Sequence, residues 1–157
     1  RGYLQMALNV RRVITGHDEN GKAVVVFDDA NKYQSSRRPN MSRQLIWTTE
    51  DLPIKIEENG EDNGAREIAT TIPGGSVFRV IEYLPGVTPR NHRTDSIDYA
   101  VVISGEIDME MDDTVVHLKA GDVLVQRATI HNWVNNGTEP CVIAFVLISS
   151  EGETAVG

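Results

Sequence analysis

The stretch "EIDMEMDDTVVHLKAGDVLVQ" constrains the fold most. Ile107, Met109 and Met111 alternate with Asp108, Glu110 and Asp112. A period of two puts one set on each face of an extended strand, whereas a helix would spread both around its circumference. Gly121 and Asp122 then turn the chain into another β-branched run. The same grammar recurs elsewhere. "NVRRVITG" and "KAVVVFDD" flank Asn20-Gly21, a pair that tolerates positive φ and so favours a tight hairpin. "RQLIWTT", "GGSVFRVIEYL" and "VIAFVLIS" read as further strands. No amphipathic helix longer than two turns is evident, and no internal repeat.

Many short strands joined by Gly-rich turns predict an all-β sandwich or barrel. A length of 157 residues fits one domain. The barrel is expected over residues 72–150, with a short tail at 151–157. Residues 1–71 would be an N-terminal β-strand arm of the same domain, covering a sheet edge, its own or a partner's. A homodimer that pairs such arms is the expected assembly. "IEENGEDNGARE" reads as a mobile surface loop and "SSRRPN" as a solvated one.

Composition excludes some partners. A net charge of −8 and a pI near 4.9 leave no positive footprint for nucleic acid. No run of about 18 apolar residues marks a membrane span. Cys141 is the one cysteine and sits in an apolar run, so it reads as a small core residue with no internal disulfide. The chain opens without the charged-then-apolar pattern of a secretory leader, and a cytoplasmic setting is expected.

Parity then singles out a polar set. His92, Thr94, Asp98, Ala100 and Val102 share a face on extended backbone. Polar groups turned into an apolar barrel are costly unless paired, hydrogen-bonded or bound to something. A buried His–Asp pair of purely structural use is the bland alternative. Trp133 shares the parity of His131 and lines either the pocket wall or the core. Gln126 and Arg127 fall at the barrel mouth, where an arginine can hold a carboxylate or form a surface ion pair. Arg79 and Glu82 interrupt an apolar run on opposite faces, so one of them points inward. Tyr83, Arg90 and Tyr99 are weaker pocket candidates. His17 and His117 read as surface residues.

These residues carry a resemblance. Residues 86–105 are similar to the first motif of the cupin superfamily, G-x5-H-x-H-x3-E-x6-G. Gly86, His92 and Gly105 fit it, while Thr94 replaces the second histidine and Asp98 the glutamate. "GDVLVQRATIHNWVN" resembles the second motif, G-x5-P-x-G-x2-H-x3-N. Gly121, His131 and Asn135 match; Gln126 takes the proline's place one residue early, and Ala128 the glycine's. The chain looks like a small single-barrel cupin with His-x-Thr in place of His-x-His, over roughly residues 76–148.

The resemblance implies a double-stranded β-helix (a cupin or jelly-roll barrel) with a small molecule bound inside. It implies a metal set of His92, Asp98 and His131, suited to Fe, Mn, Ni or Zn, or else a metal-free pocket. Without metal, Asp98 should have a raised pKa and form a proton-transfer pair with a histidine. Thr94, Trp133, Gln126 and Arg127 would contact substrate. The expected activity is of lyase or isomerase type: dehydration, decarboxylation or cyclisation of an oxygenated, aromatic or polyketide-like substrate. Asp98 and His131 would move protons, and His92 would bind metal or substrate. The alternatives are a non-haem iron dioxygenase and a non-catalytic ligand-binding cupin.

Overall fold

The computed structural model describes residues 8–56 and 59–151. Strands β1 (Arg11–His17) and β2 (Ala23–Ala30) form the expected hairpin. Asp18 Oδ1 accepts from the Asn20 and Lys22 amides across its turn. Next come β3 (Gln34–Arg38), β4 (Met41–Thr49) and β5 (Ser76–Tyr83). They are followed by β6 (Ser96–Ser104), β7 (Glu106–Glu110) and β8 (Val115–Lys119). β9 (Val123–Arg127), β10 (Asn132–Val134) and β11 (Cys141–Ser149) complete the order.

Two sheets enclose the core. One is six-stranded, in the order β3-β4-β5-β11-β6-β9, and the other is three-stranded, β10-β7-β8. Val77, Tyr83, Ile143, Phe145 and Leu147 from the first meet Ile107, Met109, Leu118 and Trp133 from the second in one cluster. Alternation produces this: on β6, Ser96, Asp98, Ala100 and Val102 are buried while Tyr99, Val101 and Ile103 are exposed. The arrangement is the all-β double-stranded β-helix expected from the motifs.

One expectation needs correction. "SSRRPN" is not a free loop: Gln34–Arg38 is a strand paired with β4. Its polarity is that of an edge strand, where side chains discourage further pairing. β3 and β4 extend the large sheet at its β5 edge, so this part of the segment before residue 72 covers an edge of its own sheet. Of the predicted arm, residues 1–7 lie outside the described residues, as do 57–58 of the acidic loop and 152–157 of the predicted tail.

The hairpin is stapled to the sheet by one cation. Arg12 is 2% exposed. It donates to Asp29 at 2.7 and 3.0 Å, to both Asp62 oxygens at 2.7 Å, and to the Ile46 carbonyl at 3.2 Å. Phe27 and Tyr33 lie against the guanidinium, and Tyr33 also donates to Asp62. Asp62 caps a short 3-10 turn, Asn63–Ala65, so this end of the acidic loop is pinned rather than mobile. The Arg12 hydrogen bonds hold the Asp62 carboxyl down to about 2. That contribution to stability is complete above the unfolded value of about 3.9 and is lost as pH falls through about 2.

Arg12→Ala leaves two neighbouring carboxylates without their cation. It should cost about 3–5 kcal/mol in urea unfolding near pH 7. A loss under about 1 kcal/mol would show that the staple is not what docks the hairpin.

Candidate active site

Backbone turns set the site. Gly105 has φ 74°, and a Cβ there would meet the Pro140 carbonyl, so the turn between β6 and β7 requires glycine. Ala128 stands at the second motif's glycine and still takes φ 56°, a conformation that costs an L-residue about 1–2 kcal/mol. Three residues later comes His131. Its amide donates to the His92 carbonyl at 2.9 Å, and the His92 amide returns a bond at 3.0 Å. Asn132 Oδ1 accepts from the Arg90 amide and holds the incoming loop. The two motifs are thereby tied together at the histidines.

The imidazoles lie side by side, with centroids 4.6 Å apart. Each Nδ1 sits against a carbonyl: His92 against Arg90 at 3.0 Å, His131 against Thr129 at 2.9 Å. A carbonyl only accepts, so each Nδ1 carries the proton and each Nε2 keeps its lone pair. Burial pushes His131 down to about 4 and His92 in the same direction, so both rings are neutral at pH 7.

Asp98 is buried at 6% exposure on β6. Ser96 Oγ donates to it at 2.5 Å, and Thr94 Oγ1 lies 2.8 Å from Ser96 Oγ. Desolvation raises the carboxyl to about 6, against the pull of these hydroxyls. Gln126 is directly opposite Asp98 on β9. Its amide nitrogen lies 2.7 Å from Met109 Sδ, and its Oε1 is buried with no partner among the described residues. Trp133 is 2% exposed, with its ring 6.0 Å from His131, 5.9 Å from Phe145 and 5.8 Å from Tyr83. It is both a core residue and the histidine's neighbour.

Several expectations change at this point. Arg127 is exposed and pairs with Ile97 on the outer face, because it shares parity with Val123 and Val125. It does not line the interior. Tyr99 is outward too. Among the described residues, no group of three His, Cys, Asp or Glu side chains is placed to hold a metal ion. Asp98 is therefore not gathered with His92 and His131 as a third ligand. Its short side chain is engaged with Ser96 instead. The two histidines alone do suit a divalent cation, since each offers a neutral imidazole with a fixed Nδ1–H.

Ser96 was missed in the sequence, although it shares the parity of Asp98. Arg79, left undecided against Glu82, faces inward with Val77 and Tyr83; Glu82 lies on the outer face with Val80. Both are buried. A groove of about 1010 Å³ lies against that outer face, between the hairpin and Trp47, Phe78 and Val80. None of His92, Asp98 or His131 lines it.

Comparison with known proteins agrees with this architecture. The Cupin domain family profile matches residues 79–148. The cupin-domain-containing oxidoreductase fogC of Aspergillus ruber is 36% identical over 146 residues, 88% of this chain and 72% of that one. Oryzines biosynthesis cluster protein J of Aspergillus oryzae is 33% identical over 133 residues, 80% of this chain and 74% of its own. A solved Klebsiella pneumoniae protein with a double-stranded β-helix domain superposes with a TM-score of 0.52 at 24% identity. It covers 76% of this chain and 85% of that one, and it bears on the fold alone.

The placement of Asp98 is testable by cation titration. Co(II) absorption should report a site weakened at least about ten-fold, some 1.4 kcal/mol, by His92→Ala or His131→Ala. Asp98→Asn should leave it unchanged. Loss of cobalt in Asp98→Asn would put the carboxylate back among the ligands.

Proposed function

This chain belongs to the cupin family, and on that premise we propose that it is a small-molecule enzyme whose reaction is driven by proton transfer at Asp98. The names of its relatives support a cupin working in small-molecule biosynthesis. The observation that carries the finer reading is a carboxyl raised by burial to about 6 on the inner barrel face. At neutral pH such a group is mostly ionised, yet it holds a proton more readily than an ordinary carboxylate. It takes a proton from a substrate carbon or hydroxyl and returns it. Ser96 and Thr94 stabilise the charged form through their hydroxyls.

His131, held near 4, is too weakly basic to share that proton at neutral pH. The proton-moving role foreseen for both residues falls to Asp98. His131 and His92 offer Nε2 lone pairs to substrate hydroxyls or to a cation. Gln126 Oε1 is positioned opposite Asp98 to accept from a substrate donor. Trp133 backs the histidine. The reaction class is dehydration, decarboxylation or cyclisation of an oxygenated substrate.

A second reading has its own support. The paired neutral imidazoles suit a divalent ion, which would supply Lewis-acid or redox chemistry, and four relatives are named oxidoreductases.

Replacing the chromosomal copy with Asp98→Asn, and in a second strain with His131→Ala, in the producing organism separates the two. Mass spectrometry should show an accumulated precursor that is isomeric with the next product, or heavier by one water or one carbon dioxide. A precursor that differs by two hydrogens or by oxygen, accumulating in His131→Ala but not in Asp98→Asn, would favour the redox reading. No accumulation at all would favour a binding protein without catalysis.

A further inference from the structure

The inner face carries a second polar group that the proton-transfer reading does not use. Arg79 is 3% exposed and meets no carboxylate among the described residues. Among the described residues its Nη1 and Nη2 donate to the Thr70 and Ala69 carbonyls alone, at 3.3 and 3.1 Å, and its Nε is buried without a partner there. Arg43 sits on the adjacent strand opposite Ile81, a diagonal neighbour of Arg79 on the same face. Among the described residues its one side-chain bond is a long one to Ser35 Oγ, at 3.3 Å.

Burying cations together is expensive. An uncompensated buried charge costs several kcal/mol, and like charges add to it. Backbone carbonyls satisfy hydrogen bonds but cancel no net charge. A tether for residues 69 and 70 would need only a neutral amide donor. The chain as a whole is strongly acidic at −8, so cations are not in surplus. Burial, followed by the repulsion of Arg43 and Arg37, pulls Arg79 down to about 10. It remains a cation at neutral pH.

We propose that Arg79 and Arg43 form the subsite for a carboxylate head group of the substrate. This rests on the reading of the barrel interior as the substrate site and adds the substrate's charge class. Register gives the geometry. Arg79 pairs with Phe145, and Phe145 with Ala100, two residues along β6 from Asp98. Two strand spacings and that offset separate the backbones of Arg79 and Asp98 by about 12 Å. Phe145 lies between, edge-on to Trp133. A carboxylate at the guanidinium fork would lay an apolar body on Phe145 and bring its far end to Asp98. Planar bidentate pairing is what a guanidinium does best with a carboxylate.

The test is calorimetric binding at pH 7 and low salt, with benzoate and octanoate against benzamide and octanamide, and with inorganic phosphate as a control anion. Each acid should bind at least about ten-fold more tightly than its amide, some 1.4 kcal/mol. Arg43→Gln and Arg79→Gln should abolish that preference. Arg43 is only partly buried, so its variant keeps the test meaningful even if Arg79→Gln fails to fold. Asp98→Asn should bind the acids at least as well as the parent, since it removes a repelling carboxylate; failure of the proton-transfer reading would therefore leave this result standing. Equal binding of acid and amide overturns the proposal. So does a preference that survives in folded Arg43→Gln, or no acid binding at millimolar concentration. Phosphate binding as tightly as benzoate would assign a general oxyanion site and overturn the carboxylate head group.

Discussion

Desolvation of the inner face is the constraint on which the site depends. Two sheets packed through Ile107, Met109, Ile143 and Phe145 leave little water beside the polar groups set among them. In that setting a charge is worth more and costs more than at the surface. Asp98 responds by holding its proton more tightly, and His131 by giving its proton up. Arg79 cannot respond in this way at neutral pH and stays charged. One physical effect therefore produces a near-neutral acid, two neutral imidazoles and an uncompensated cation in the barrel interior. These are complementary parts of a site for an oxygenated, negatively charged small molecule.

Much of this was legible in the sequence because strands have a period of two. Parity alone put Asp98, Ala100 and Val102 on the inner face, and the motif spacing brought His92 to His131. The Asn20-Gly21 hairpin was visible because its turn chemistry is local. What escaped was set by pairing between distant segments. Gln34–Arg38 is polar along its length, and nothing local marks it as a strand; only its partner β4 makes it one. Arg43 was invisible as a site residue for the same reason. Arg12 gave no signal of its role, since Asp29 and Asp62 are 17 and 50 residues away.

The metal set shows a different limit. Spacing assigned Asp98 to the glutamate position of the motif, and the strand does turn its side chain inward. Spacing carries no information about reach, however. Serine two residues earlier gives the shorter carboxylate a partner at hand, and it is that hydrogen bond that the carboxylate makes. The two departures from the family pattern, Thr94 and Asp98, are in contact through one residue. Both residues join one hydroxyl–carboxylate chain through Ser96.

The account stands or falls on the ionisation of Asp98. Carbon-13 labelling of the aspartates, with Asp98→Asn to assign the resonance, would follow that carboxyl through a pH titration. A midpoint near 6 that rises further in Ser96→Ala is the predicted result. A midpoint near 4, unmoved by Ser96→Ala, would mean that Asp98 is an ordinary carboxylate and that the proton chemistry lies elsewhere.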